Sequence, residues 1–121
     1  MTKTSGSADY DLEDRTFRFA QAVRTFARRV PKSLQNLEDT RQLIRSSGSV
    51  GANYIEANEA LSKKDFVHRL RIARKEAKES QYWLRLVDTQ DDVSLSDERD
   101  GLVREGRELL LIFSAIIRSA S

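Results

Sequence analysis

The polar side chains able to do chemistry gather between Ser46 and Arg85. Asn53, Glu56, Arg74, Glu76 and Glu79 fall on or beside positions that would pack between helices. Carboxylates at close range can exchange protons or hold a metal. The same groups, ion-paired and hydrogen-bonded, can instead fix the register of neighbouring helices. The second reading fits better, because no histidine is placed to assist these carboxylates. His68 is the only histidine. Asp65 and His68 have the i, i+3 spacing of bundle metal sites, but such sites combine two of these pairs with further glutamates. Only one pair occurs here. Ser46, Ser47 and Ser49 have no histidine near them in sequence for a nucleophilic triad. Gly48 and Gly51 lack the preceding strand and the Gly-Lys-Ser/Thr ending of a phosphate loop. Cysteine is absent, which removes thiol nucleophiles, thiolate metal sites and disulfides. The expectation is a protein that is not an enzyme, with no catalytic residue, metal ligand or cofactor.

A different kind of site is drawn by charge. Lys64, His68, Arg71, Lys75, Lys78, Tyr82 and Arg85 repeat in steps of four and three, and no acid interrupts them. On a helix this spacing makes one continuous stripe. A cationic stripe of this kind can follow a phosphate backbone without reading base sequence. Its bland counterpart is an ordinary solvated helix face. Arg15, Arg18, Arg24, Arg28 and Arg29 add further cations nearer the N-terminus. The net charge of +2 hides this unevenness, because acids crowd residues 9–14 and 88–100. For an acidic partner the local excess matters more than the total.

Helices are needed to hold these residues in place. The 121 residues suffice for one domain with one core, Pro31 is the only proline, and Ala, Leu, Arg, Glu and Lys are abundant. Residues 1–9 read as a disordered lead-in and 10–121 as the folded domain. Leu12, Thr16, Phe19, Val23, Phe26 and Val30 share one face of a first helix, from about Leu12 to Val30, which Pro31 ends. A second helix is expected from Leu34 or Leu37 to about Glu59, with a seam through Leu37, Ile44, Ser47, Gly51, Tyr54 or Ile55, and Asn58. Its small-residue middle, residues 46–52, reads as helix that lets a neighbour approach closely. A loop there is the alternative, since glycine costs about 1 kcal/mol relative to alanine in a helix. Ser62 and Asp65 form a capping box for a third helix, whose seam is Phe66, Leu70, Ala73, Ala77, Ser80, Leu84 and Val87. A fourth begins after Ser94 or Ser96 and packs through Val103, Gly106, Leu110, Phe113, Ile117 and Ala120. Short connections favour antiparallel neighbours, so the predicted fold class is all-α, an antiparallel up-down-up-down four-helix bundle.

One such bundle leaves apolar surface over. Leu109 to Phe113 and Ala115 to Ile117 cover almost the whole circumference of the fourth helix. The third carries a second stripe, Arg69, Ile72, Glu76, Glu79, Trp83 and Leu86, mixing large apolar groups with both charges. A surface of this kind predicts a homo-oligomer, with Ile72, Trp83, Leu86, Leu111 and Ile112 at the interface. The alternative is a merely greasy exterior.

The segment Ile-Arg-Ser-Ser-Gly-Ser-Val-Gly-Ala-Asn-Tyr-Ile-Glu-Ala-Asn-Glu-Ala (44–60), followed by Ser-Lys-Lys-Asp-Phe (62–66), resembles the four helix bundle protein family, also called the 23S ribosomal RNA intervening-sequence protein family. Ile-Ala-Arg-Lys-Glu-Ala-Lys-Glu-Ser-Gln-Tyr-Trp-Leu-Arg-Leu (72–86) is similar to its third helix, and Val-Pro-Lys (30–32) to its first turn. The widespread form of the motif reads Ala-Asn-Ile-Ala-Glu-Gly. Here Ala57 replaces the glycine, so the helix is expected to continue further. The resemblance implies an antiparallel four-helix bundle, often a ring of five subunits, with no established catalytic activity. It also implies association with nucleic acid: such genes lie within insertions in ribosomal RNA genes, and a related accessory protein accompanies reverse transcriptases of retroelements.

Together these readings predict a non-enzymatic, homo-oligomeric accessory or scaffold protein whose basic surface (Lys64, Arg71, Lys75, Lys78, Arg85) contacts RNA or DNA, alongside a protein partner such as a nucleic-acid enzyme. The alternative is a protein-interaction module that ignores nucleic acid and uses Trp83, Leu111 or the acidic 88–100 segment. The polar N-terminus lacks a signal-peptide core, and the longest apolar run falls far short of the roughly 20 residues of a membrane span. A cytoplasmic location without membrane contact is expected.

Overall fold

The computed structural model describes residues 7–120, with side chains from Leu12 to Ala120. Among them are four helices and no strand: α1 (Ser7–Arg29), α2 (Leu34–Asn58), α3 (Lys63–Leu86) and α4 (Val93–Ala120). They pack as a helical bundle. α2 lies against α3, α3 against α4, and α1 closes against both α2 and α4.

Local chemistry sets the ends of these helices. Helix α1 stops before Pro31, as expected, but starts at Ser7. The predicted lead-in is therefore helical at residues 7–9, and its first six residues lie outside the described part. Ser33 caps α2 by accepting a hydrogen bond from the Asn36 N–H at 3.1 Å. Ser62 does the same for α3 through the Asp65 N–H, also at 3.1 Å. Helix α4 begins earlier than the serines suggest. Asp92 is its cap, accepting from the Leu95 N–H at 3.0 Å, and the preceding Gln90 and Asp91 turn the chain with positive φ. An aspartate at this place also meets the positive end of the helix dipole. Helix α2 passes Ala57 by a single residue before ending.

The core is built as periodicity predicts along α1, where Leu12, Thr16, Phe19, Val23 and Phe26 are all buried, as is Val30 just past its end. Along the other helices the inward face is rotated by about one residue in places. In α2, Asn36, Leu43, Val50, Tyr54 and Ala57 point inward with Ser46 and Ser47, while Leu37 and Ile55 are half exposed. The polar Asn36 takes a core place because Asp88 and Pro31 supply its hydrogen bonds. In α3, Val67 is buried and Phe66 packs at the core's edge; in α4, Leu102 and Leu109 replace Val103 and Leu110. Tyr54 and Phe113 meet in the centre, with ring centroids 6.0 Å apart. Each fully buried Leu or Phe contributes about 1.5–3 kcal/mol.

Residues 46–52 are continuous helix. Their small side chains permit a close approach of α1 to α2. A Cβ built on Gly51 would lie 2.9 Å from Thr16 Oγ1 and 3.2 Å from Thr16 Cβ. At Ser46 a different partner arrives, since its hydroxyl meets that of Ser80 on α3 at 3.0 Å.

Candidate nucleic-acid interface

The capped, continuous α3 holds Lys64, His68, Arg71, Lys75, Lys78, Tyr82 and Arg85 on one outward face, and all seven are exposed. From Lys64 to Arg85 the stripe extends about 32 Å at 1.5 Å per residue. Its charge is largely uncompensated among the described residues. Lys75 approaches Glu76 at 3.6 Å. Among the described residues, Lys64, Arg71, Lys78 and Arg85 form no ion pair.

Several arginines elsewhere are paired with acids within the chain. Arg15 makes a two-pronged contact with Glu105 at 2.6 and 2.8 Å, and this hydrogen bonding raises the guanidinium pKa above its ordinary value against an opposing desolvation. Arg18 pairs with Asp14 at 2.9 Å, Arg29 with Glu98, Arg41 with Glu38 at 3.1 Å, and Arg99 with Asp100 at 3.0 Å. The α1 cations do not lengthen the α3 stripe: Arg15, Arg18 and Arg29 have acidic partners, and α1 packs on α2 and α4.

The polar cluster read from sequence divides into four. Glu76, only 6% exposed, and the more exposed Glu79 share Arg45 of α2, at 3.6 and 3.1 Å. Asn53 donates to the Ser49 carbonyl at 2.9 Å and accepts from Arg69 at 3.3 Å. Arg74 turns the other way, donating to Ser114 on α4 at 3.3 Å. The Arg45, Arg69 and Arg74 contacts each join two helices. Glu56 stands apart from them, lining a shallow depression of about 260 Å³ with Glu59, Asp65, His68 and Arg69. Arg45 was not singled out by sequence, since its acidic partners lie more than thirty residues away and no local spacing announces them.

No group of three or more His, Asp or Glu side chains that could hold a metal occurs among the described residues. The serine hydroxyls bond helix carbonyls, Ser46 to Leu43, Ser47 to Ile44 and Ser49 to Arg45. No described helix is long and apolar enough to cross a membrane.

Of the residues expected between subunits, Trp83 and Ile112 are partly buried against the chain's own core, and Ile72 is also partly covered. Leu86 and Leu111 each remain 48% exposed. A single copy therefore hides more of α4 than its composition suggests. Trp83 Nε1 is enclosed without a hydrogen-bond partner among the described residues, and its ring lies edge-to-face with Tyr82, centroids 5.1 Å apart.

The chain is similar to a solved protein of unknown function from the S23 ribosomal protein family of Bacteroides thetaiotaomicron VPI-5482. The two share 27% identity over 88% of this chain and 97% of that one, with a TM-score of 0.75. Among curated proteins, none matches. The family model described as 23S rRNA-intervening sequence protein matches residues 8–109, which cover all of α2 and α3 and most of α1 and α4. The chain belongs to the 23S rRNA-intervening sequence protein family.

Proposed function

We propose that this protein is a non-enzymatic scaffold that assembles with copies of itself and binds RNA or DNA through the exposed face of α3. The single observation that carries the reading is that Lys64, Arg71, Lys78 and Arg85 stand on one exposed helix face, with no acid in the stripe and with no ion pair among the described residues. Phosphate binding by such a face releases counterions and is steeply salt-dependent, with little base preference. The α3 stripe is about as long as one turn of duplex.

The helices alternate in direction, up-down-up-down. This is supported by the short connections and by the order of contacts between neighbours. Asn36, Arg45 and Asn53 along α2 meet Asp88, Glu79 and Arg69 in descending order. Copies assemble through apolar surface that one bundle leaves uncovered, of which Leu86 and Leu111 are part. A closed ring would repeat the α3 stripe around its circumference, and multiple contacts raise avidity. The protein works inside the cytoplasm, where a nucleic-acid enzyme is the natural protein partner.

Two measurements test this reading. Light scattering on size-exclusion fractions is expected to give a mass several times that of one chain. Gel shifts at low salt are expected to show binding of duplex or single strands by the intact assembly, and loss of binding when Arg71, Lys75 and Lys78 are changed to Glu. Absence of binding by the wild-type assembly would leave the alternative, a module that recognises protein alone through Leu111 or the acidic 88–100 segment. Co-purification of a protein partner after nuclease digestion would favour that second reading.

A further inference from the structure

The end of the bundle where α1 meets α2 carries a groove of about 350 Å³ that the α3 stripe does not share. Its apolar lining includes Ala27, Leu37 and Ile44, and its charged lining is Arg24, Arg28 and Lys32. These three cations are exposed and make no ion pair within the described residues. Arg24 and Arg28 donate only to a helix carbonyl and to the Thr25 hydroxyl.

The α3–α4 connection lies at the same end, tied there by the bonds between Asn36 and Asp88. It has the complementary makeup. Val93 is 71% exposed, and among the described residues the exposed Asp91 and Asp97 on either side of it have no cationic partner. Leu86 continues the apolar surface on the preceding helix end. Each patch thus lacks what the other offers, and the chain does not satisfy one with the other.

We infer that a second copy of this chain places its α3–α4 turn in the α1–α2 groove, with Val93 against Leu37 and Ile44 and with Asp91 and Asp97 facing Arg24, Arg28 and Lys32. The contact is heterologous: each copy offers a groove to one neighbour and a turn to another. Contacts of this type close into rings when the rotation permits. Steering by opposite charges speeds such encounters and weakens with salt. The inference rests on the proposed self-assembly and names the surfaces that produce it.

Charge exchange tests it. One variant carries Arg24→Glu, Arg28→Glu and Lys32→Glu; the other carries Asp91→Lys and Asp97→Lys, leaving the Asp92 cap intact. Circular dichroism checks that each remains helical. By light scattering each variant alone is expected to fall to the mass of a single chain. One chain carrying both sets, in which every groove again meets an opposite turn, is expected to regain the wild-type mass, and an equimolar mixture of the two variants is expected to rise above the mass of a single chain. If both variants keep the wild-type mass, these surfaces are not the contact although self-assembly stands. Variants that dissociate and are not rescued by combining both sets in one chain that stays helical overturn the pairing as well. A wild-type protein that is monomeric at every concentration removes the self-assembly reading itself, a result distinct from the other two.

Discussion

The side-chain amide of Asn36 and the backbone of Asp88 hold each other by two hydrogen bonds. Asn36 Nδ2 donates to the Asp88 carbonyl at 2.9 Å, and the Asp88 N–H donates to Asn36 Oδ1 at the same distance. A third bond, also 2.9 Å, runs from Nδ2 to the Pro31 carbonyl. One side chain, 1% exposed, thus fastens the α1–α2 connection to the α3–α4 connection.

Asn36→Ala is therefore expected to destabilise the protein by about 2–4 kcal/mol, since buried donors and acceptors lose their partners together. Asn36→Asp keeps the size but lacks the amide donors and should be nearly as harmful. Urea denaturation measures both. A loss below about 0.5 kcal/mol would show that water replaces the amide without cost.

The two glycines of α2 are expected to respond with opposite sign. Gly48→Ala meets only the Arg24 guanidinium, at 3.5 Å, and should gain most of the roughly 1 kcal/mol by which alanine exceeds glycine in a helix. Gly51→Ala gains the same propensity but presses on Thr16. That residue is buried, with its hydroxyl bonded to the Glu13 carbonyl at 3.0 Å. Overpacking costs about 1–3 kcal/mol, so the net change should be destabilising. Thermal melts of the two variants decide it, and stabilisation by both would contradict the close approach of α1 and α2.

Arg45 is expected to matter through Glu76 more than through Glu79. Half-exposed pairs such as Arg45–Glu79 contribute about 0–1 kcal/mol. Glu76 is buried, one of its oxygens has no hydrogen-bond partner, and Arg45 stands 3.6 Å from that oxygen. Arg45→Ala should cost about 1–2 kcal/mol by leaving this carboxylate less compensated. Glu76→Met should be close to neutral, and it should erase most of the cost of Arg45→Ala in the double variant. Strict additivity in the cycle would show that the two residues act independently.

These residues also mark how far the sequence can be read. The α1 seam is legible throughout because every inward position is apolar except Thr16, and the flanking positions are polar, proline or alanine apart from Phe17. Along α2 the apolar pattern misleads by one position. Leu37 and Ile55 look inward and are half exposed, while Asn36 and Ser46 look outward and are buried. Their burial depends on partners on another helix and in a distant connection, and one-dimensional spacing carries no sign of either. In α4 the apolar residues surround the helix, so Leu109 and Leu110 are equivalent by composition and only the packed neighbours choose between them. The α3 stripe is legible for the opposite reason. Exposure needs no partner, so periodicity alone predicts it.

The proposed binding face is tested most directly by its salt dependence. Fluorescence anisotropy with a labelled duplex, titrated between about 50 and 200 mM salt, gives the slope of log K against log salt, near −0.9 for each phosphate neutralised. The wild-type protein is expected to show a steep slope. Charge reversal at Arg71, Lys75 and Lys78 together is expected to flatten it by about 2–3 units as affinity falls. Equal slopes for the two proteins, or no binding by the wild type at the lowest salt, would contradict the claim that α3 grips a phosphate backbone.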